Sequence, residues 1–152
     1  MILKSISKVN SERKPDKFEA NTNSKAKMSI FYFHRDMGEN EITLIPQGLL
    51  QNCPSLKQIE FKNNPIRDIE PNAFVHLPWL QKLVISEARE LITFPNLNGT
   101  HSLDLVRLDR SKIKHIPYSI CLQSPNLRSL ELKSNHLEEV PDLQGCGNLR
   151  VL

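Results

Sequence analysis

The 152-residue chain lacks long apolar stretches and has little glycine. Its longest apolar run, Ile30–Phe33, covers four residues, far fewer than the roughly 20 that a transmembrane helix needs. The start of the chain lacks the apolar core, about 7 to 15 residues long, that marks a secretory signal. The five glycines form no phosphate-binding loop. The sequence by itself therefore predicts no membrane anchor, no leader and no nucleotide site.

The chain also lacks a constellation of residues that could perform catalysis. Its histidines are spread along the sequence without metal-ligand spacing, and the repeat register pairs no serine or cysteine with a base. We therefore predict no enzyme activity, no metal and no cofactor. The histidines are His34, His76, His101, His115 and His136.

Positive charge is concentrated at the start of the chain. Residues 1–35 hold eight Lys and Arg against three Asp and Glu, whereas the remainder holds twelve against fourteen. This segment has too few hydrophobic residues to offset the entropy of ordering, so we predict that residues 1–35 are disordered or non-native. Without dense charge runs and interleaved aromatic residues, we expect no nucleic-acid binding. The stretch "MSIFYFHRDM" (28–37) fits either a first strand or a poorly matched junction.

Residues 36–152 repeat with a period that decides the fold class. Units of 24, 23, 24 and 22 residues begin at Leu56, Leu80, Leu103 and Leu127, and partial units lie at each end. Apolar residues occupy the first, fourth and sixth places of each unit, as in the leucine-rich repeat. The fourth and sixth residues of a short strand point inward while their neighbours point outward. Leu149 and Leu152 hold the first and fourth places of a further unit, so we expect the chain to stop inside a strand.

The pattern predicts an α/β-type solenoid with short parallel strands on its concave face. Pro95, Pro117 and Pro141 follow inward residues on the other side, which favours a mostly irregular or 3-10 convex side. At the ninth place, an asparagine amide can bond the backbone of the turn. Asn64 and Asn135 hold that place, which Ala88 and Ser111 occupy in the two central units. Further inward residues are Ile66, Ile69, Phe94, Ile113, Ile116, Leu137 and Val140.

The outward strand residues form a continuous surface of the kind that grips proteins. This face mixes both charge signs with Val84 and Leu105, two apolar residues that the pattern gives no inward role. We take Val84, Arg107 and Asp109 as the preferred contacts, and interpret Trp79 as a packing residue. The face comprises Gln58, Glu60, Lys62, Lys82, Val84, Ser86, Leu105, Arg107, Asp109, Ser129, Glu131 and Lys133.

Two cysteines and an N-glycosylation sequon indicate the cellular compartment of the chain. Cys121 and Cys146 hold the nineteenth and twentieth places of successive units, about 5 Å apart and within disulfide reach. We predict that they form a disulfide, with two buried thiols as the alternative. Cys53, three coils earlier, is expected to be a free buried thiol. "NGT" at Asn98–Thr100 predicts N-glycosylation of Asn98 if the chain is secreted.

Several stretches resemble leucine-rich-repeat G-protein-coupled receptors of the long-array group, which includes the R-spondin and bursicon receptors. They are "LITFPNLNGTHSL", the extra residue around Glu87–Glu90, and the two convex cysteines; residues 1–35 match nothing in that family. The resemblance implies an ectodomain segment on the extracellular side of the plasma membrane. It implies a secreted protein ligand, a cystine-knot hormone or R-spondin-like protein, with the membrane reached only through a downstream domain. A matrix or adhesion protein and a cytosolic scaffold are the alternatives.

Overall fold

The computed structural model describes residues 33–152 as a stack of coils, each contributing one short parallel strand. The five-stranded concave sheet has the order β1-β3-β5-β6-β7, and a two-stranded convex sheet pairs β2 with β4. One helical turn, α1, lies between the last two concave strands. The elements are β1 His34–Asp36, β2 Leu44–Ile45, β3 Gln58–Glu60, β4 Asp68–Ile69, β5 Lys82–Val84, β6 Leu105–Arg107, α1 Ile120–Gln123 and β7 Ser129–Glu131.

Strand register confirms the repeat alignment. Equivalent places of successive units lie opposite one another, so that Ile59 pairs with Leu83, Leu83 with Val106, and Val106 with Leu130. Because each coil covers its neighbour, the inward columns form one continuous core. Its fully buried members include Leu56, Ile59, Phe61, Ile66, Leu80, Leu83, Ile85, Leu103, Val106, Leu108, Ile113 and Leu130.

The stretch that fitted either a strand or a junction contains a strand. β1 pairs in parallel with β3 and begins two residues before residue 36. Arg35 lies opposite Ile59, in the column that is apolar in every later unit, and is half-buried. The sheet therefore extends through a coil whose sequence breaks the repeat pattern.

The convex side is mostly irregular, as the prolines predicted. Turns dominate it, and the parallel pair β2 and β4 lies beside them. In α1, Ile120 and Cys121 are buried whereas Leu122 is exposed. Within residues 33–152, no helix has the length and apolarity needed to cross a bilayer.

Three apolar residues that we expected to pack inside lie at the surface. Leu137 and Val140, in the last complete coil that the structure describes, are 36% and 91% exposed. Trp79 is 60% exposed, so its interpretation as a packing residue is wrong. The same place is polar in the following units, at Ser102 and Asn126, which identifies this column as a surface column.

Each concave strand ends in a turn that the leucine pattern did not reveal. The eighth residue of each unit is left-handed, with φ between 53° and 64°, although none of them is glycine. An asparagine follows this residue and bonds the turn in the two units predicted, at Asn64 and Asn135, and also in the first coil, at Asn40. Asn64 Nδ2 donates to the carbonyls of Met37 (2.9 Å), Phe61 (3.2 Å) and Lys62 (3.2 Å), while its Oδ1 accepts from Ile42 N (3.1 Å). The left-handed residues are Glu39, Asn63, Glu87, Arg110 and Ser134.

The predicted disulfide is present. Cys121 and Cys146 are bonded across neighbouring coils with a Cα–Cα distance of 5.0 Å. Cys53 is a free buried thiol, also as predicted. The bond ties the coil that carries the exposed Leu137 and Val140 to the well-packed coil before it.

We expect Asn64→Ala to lower the free energy of unfolding by about 1–3 kcal/mol, because it removes the partner of the buried Ile42 N–H and the side-chain bond to the Phe61 carbonyl. Urea denaturation measures the loss. Asn40→Ala is the matched control, since Asn40 is half-buried and bonds only the carbonyls of its own turn. Equal losses in the two variants would contradict this account of the turn.

Removing the disulfide by the paired change Cys121→Ala and Cys146→Ala should cost about 3–4 kcal/mol, given the 25-residue separation. Chemical denaturation of the oxidised chain and of this variant measures the difference. In the denatured, non-reduced chain a thiol reagent should label Cys53 and no other cysteine. Labelling of all three would disprove the bond.

Candidate protein-binding face

The twelve outward residues predicted from the sequence lie together on four adjacent strands and the turns that follow them. Strand register arranges them in three rows that run across the sheet, with neighbours one strand apart, about 4.8 Å. The first row is Gln58, Lys82, Leu105 and Ser129; the second is Glu60, Val84, Arg107 and Glu131; the third is Lys62, Ser86, Asp109 and Lys133.

A buried carboxylate organises one half of the face. Glu60 is only 7% exposed, and its two oxygens lie 2.6 Å from Lys62 Nζ and 2.6 Å from Lys82 Nζ. Burial raises the pKa of Glu60, but the hydrogen bonds and positive charges of the two lysines outweigh burial and lower the pKa from 4.5 to about 2. Glu60 is therefore ionised and internally neutralised at physiological pH.

Arg107 organises the other half. Its Nε lies 2.7 Å from Glu131 Oε2 and 3.7 Å from Asp109 Oδ2, and Ser129 Oγ donates to Glu131 Oε1 at 3.1 Å. The hydrogen bond from Arg107 lowers the pKa of Glu131, and the same bond raises the pKa of Arg107. Lys133 is exposed, but its backbone N donates to Asp109 Oδ1 at 3.1 Å. Both preferred charged contacts, Arg107 and Asp109, thus belong to one network.

Val84 cannot be a contact residue in this arrangement, which corrects the prediction. It lies on the concave sheet between Glu60 and Arg107 in the register, yet its exposure is 0%. Its two neighbours in the row, Glu60 and Arg107, carry longer side chains that are held by ion pairs, and the valine between them has no exposed surface. Leu105 differs because it is partly exposed between Lys82 and Ser129. Among the predicted apolar contacts, Leu105 is the accessible one.

A second ionic cluster beside the face escaped the sequence analysis. Glu87 pairs with Arg110 on the next coil and with Arg89 at 3.1 Å, and the hydrogen bond from Arg110 lowers the pKa of Glu87. Nearby, Lys112 Nζ lies 3.4 Å from Glu90 Oε1. Glu87 and Arg110 both hold the eighth place of their units, so opposite charges at equal places were the signal that could have revealed the pair.

The whole face is close to neutral. Its twelve residues include three acids and four bases, and most of these charges are paired with one another. A phosphate backbone is bound by an excess of unpaired positive charge, which this face lacks. Within residues 33–152, no three histidine, cysteine, aspartate or glutamate side chains converge to hold a metal ion.

The predicted glycosylation site lies away from this face. Asn98 is exposed in a turn where Gly99 adopts a φ of 84°, a conformation that favours glycine. Thr100 is fully buried, and its hydroxyl donates to the Leu97 carbonyl at 2.6 Å. The sequon is thus part of a closed turn that presents the asparagine to solvent.

Comparison with known proteins agrees with this architecture. Residues 36–87 match the family model described as leucine rich repeat. The chain is 35% identical over 137 residues to leucine-rich repeat-containing G-protein coupled receptor 5 of Xenopus tropicalis, covering 90% of this chain. It is 37% identical over 113 residues to receptor 6 of Homo sapiens, covering 74%. These repeats are of the leucine-rich-repeat-containing G-protein-coupled receptor type.

The two receptors are far longer than this chain, which spans 15% and 12% of their lengths. The match to the frog receptor covers more of the chain than residues 36–152 can supply, so it extends into the N-terminal segment. Our expectation that this segment matches nothing in the receptor family is therefore wrong. Its predicted disorder concerns residues 1–35, of which 1–32 lie outside the described residues.

Solved structures share the fold. The chain superposes on human 5T4 (Wnt-activated inhibitory factor 1, trophoblast glycoprotein) with a TM-score of 0.62 and 20% identity, covering 75% of this chain and 47% of that one. It superposes on TLR13, from a complex with ssRNA13, with a TM-score of 0.62 and 25% identity, covering 78% of this chain and 18% of that one. The leucine-rich-repeat solenoid predicted from the sequence is confirmed.

Glu60→Gln should lower the free energy of unfolding by about 1.5–3 kcal/mol near neutral pH, because it removes charge-assisted bonds to Lys62 and Lys82. The pKa of Glu60 is depressed, so its contribution is complete above pH 4.5 and is lost as the pH falls toward about 2. Urea unfolding of both proteins over this range measures the difference, which should shrink with acidification. Glu90→Gln, at an exposed pair, is the control. A difference independent of pH would refute the assignment.

Proposed function

We propose that the concave face binds a secreted protein ligand, without catalysis, as part of a receptor ectodomain. The full-length protein would then signal through G proteins. The ligand class is a cystine-knot hormone or an R-spondin-like protein. The observation that carries this proposal is the similarity to leucine-rich repeat-containing G-protein coupled receptors over most of the chain.

The geometry supports a ligand that adds to the ionic network without dismantling it. Breaking a buried ion pair leaves an uncompensated charge, which is strongly unfavourable. A ligand should therefore leave the Glu60 and Arg107 pairs intact and gain its affinity from groups that are still accessible. Leu105 is one such group, and the half-exposed Lys62 and the exposed Lys133 are others. Glu131, Lys82 and Asp109 then act mainly by holding these groups in place.

The disulfide supports an extracellular location for the chain. A disulfide between coils persists in oxidising surroundings and is rare in the cytosol, so the Cys121–Cys146 bond disfavours the cytosolic scaffold. We place the solenoid on the extracellular side of the plasma membrane. Asn98, exposed in an intact sequon, is then its N-glycosylation site.

Leu105→Asp should weaken ligand binding at least about tenfold, because it replaces the accessible apolar side chain at the centre of the face with a hydrated carboxylate. Biolayer interferometry of the full chain, secreted behind a cleavable signal, against a panel of cystine-knot hormones and R-spondin-type proteins measures this. Ile92→Gln is the matched control, since Ile92 is an exposed apolar residue outside the concave strands.

Both variants should melt at the temperature of the parent chain, which establishes that any lost binding is local. If Leu105→Asp keeps its affinity for the ligand, or if Ile92→Gln loses as much affinity, the ligand does not bind on the concave face. Absence of binding to every member of the panel would reject the proposed ligand class.

A further inference from the structure

Leu122 is an unusual residue for the convex side. It is 78% exposed on the single turn of α1, next to Ile120 and Cys121, which are buried. An exposed leucine alone is ordinary on a protein surface. This one gains significance from the residue that lies beside it on the preceding coil.

That neighbour is Asn98. Two contacts between the coils bracket the pair: Leu97 N donates to Gln123 Oε1 at 3.2 Å, and Thr100 Oγ1 lies 3.4 Å from Ser124 Oγ. Thr100 and Ser124 are 24 residues apart, and the same offset from Asn98 reaches Leu122, so Asn98 and Leu122 hold equivalent places on neighbouring coils. At the next junction, between the coils of Cys121 and Cys146, the Cα–Cα distance is 5.0 Å, the spacing expected for equivalent places on stacked coils.

Both sides of this junction are held rigidly. Asn98 N donates to Asn96 Oδ1 at 3.0 Å, and Thr100 N donates to the Leu97 carbonyl at 3.1 Å. On the other coil, Gln123 Nε2 donates to Ser119 Oγ at 2.8 Å. These hydrogen bonds hold the backbone from which the Asn98 side chain extends, which lowers the entropy lost when a group attached to that side chain packs.

We propose that the first N-acetylglucosamine of a glycan on Asn98 packs the apolar face of its ring on Leu122. In the modification, Asn98 Nδ2 forms a bond to the anomeric carbon of the sugar. The bond from that carbon to a lipid-linked diphosphate breaks, and Nδ2 loses one proton. The proposal rests on the glycosylation of Asn98 proposed above. The glycan would then cover an apolar side chain, Leu122, that the protein leaves exposed to solvent.

The burial of Thr100 determines when the sugar must be attached to Asn98. An acceptor site is read through its threonine as well as its asparagine, and the Thr100 hydroxyl is enclosed and bonded in the folded turn. The sugar is therefore attached before this turn closes, and it is in place when the coil carrying Leu122 stacks.

The test compares the secreted full chain with the variants Leu122→Gln and Val140→Gln, before and after the glycan is cleaved by an amidase under native conditions. Melting temperature and binding of a fluorescent apolar dye are the readouts. In the parent chain, cleavage should lower the melting temperature by about 2–4 °C and raise dye binding. In Leu122→Gln, cleavage should change neither. Val140→Gln, an exposed apolar residue two coils beyond Asn98, should behave like the parent.

Cleavage leaves an aspartate in every variant, so the added charge cancels in the comparison. A secreted chain whose mass is unchanged by the amidase carries no glycan, which overturns the inference and leaves concave ligand binding unaffected. A glycosylated chain in which Leu122→Gln responds to cleavage like the parent overturns the packing on Leu122. If glycan cleavage has the expected effects but no protein of the ligand panel binds, only the proposed function is rejected.

Discussion

The structure depends on one constraint, which is that each coil is buried by the next. A single coil cannot enclose its own apolar residues, so its leucines become a core only when successive units stack in register. Leu83 is fully buried because Ile59 and Val106 lie on either side of it. The exposure of Val140, at an equally apolar place, shows the same rule in the last complete coil that the structure describes. Stacking, rather than local propensity, determines which residues are inside.

The same register determines the electrostatics of the concave face. Side chains at equal places lie one strand apart, which is the right distance for ion pairs between coils. Glu60 binds Lys82 from the row beside its own, and Arg107 binds Glu131 within its row. Because these pairs form across coils, they also hold the coils together. The face that is proposed to bind a ligand is thus part of what stabilises the solenoid.

Residues that repeat could be predicted from the sequence, and residues whose state depends on neighbours could not. The columns of leucines, the role of Asn64 and the pairing of Cys121 with Cys146 all follow from counting places within units. Val84 could not be placed correctly, because alternation gives the direction of a side chain but does not give its exposure. Arg35 likewise escaped the pattern, since its strand is held by backbone pairing with β3 rather than by an apolar side chain.

The division between a pre-paired face and a few accessible groups has a consequence for specificity. An ion pair that is complete before binding gives little affinity, yet it repels a partner whose charges are wrongly placed. In the proposed complex, Arg107 would act against wrongly charged partners, and accessible groups such as Leu105 would supply the attraction. On the convex side the chain offers a different chemistry, with an apolar residue beside a sequon asparagine. The two surfaces are separated by the core, so the proposed ligand binding on one and the proposed attachment of a sugar on the other would be independent of each other.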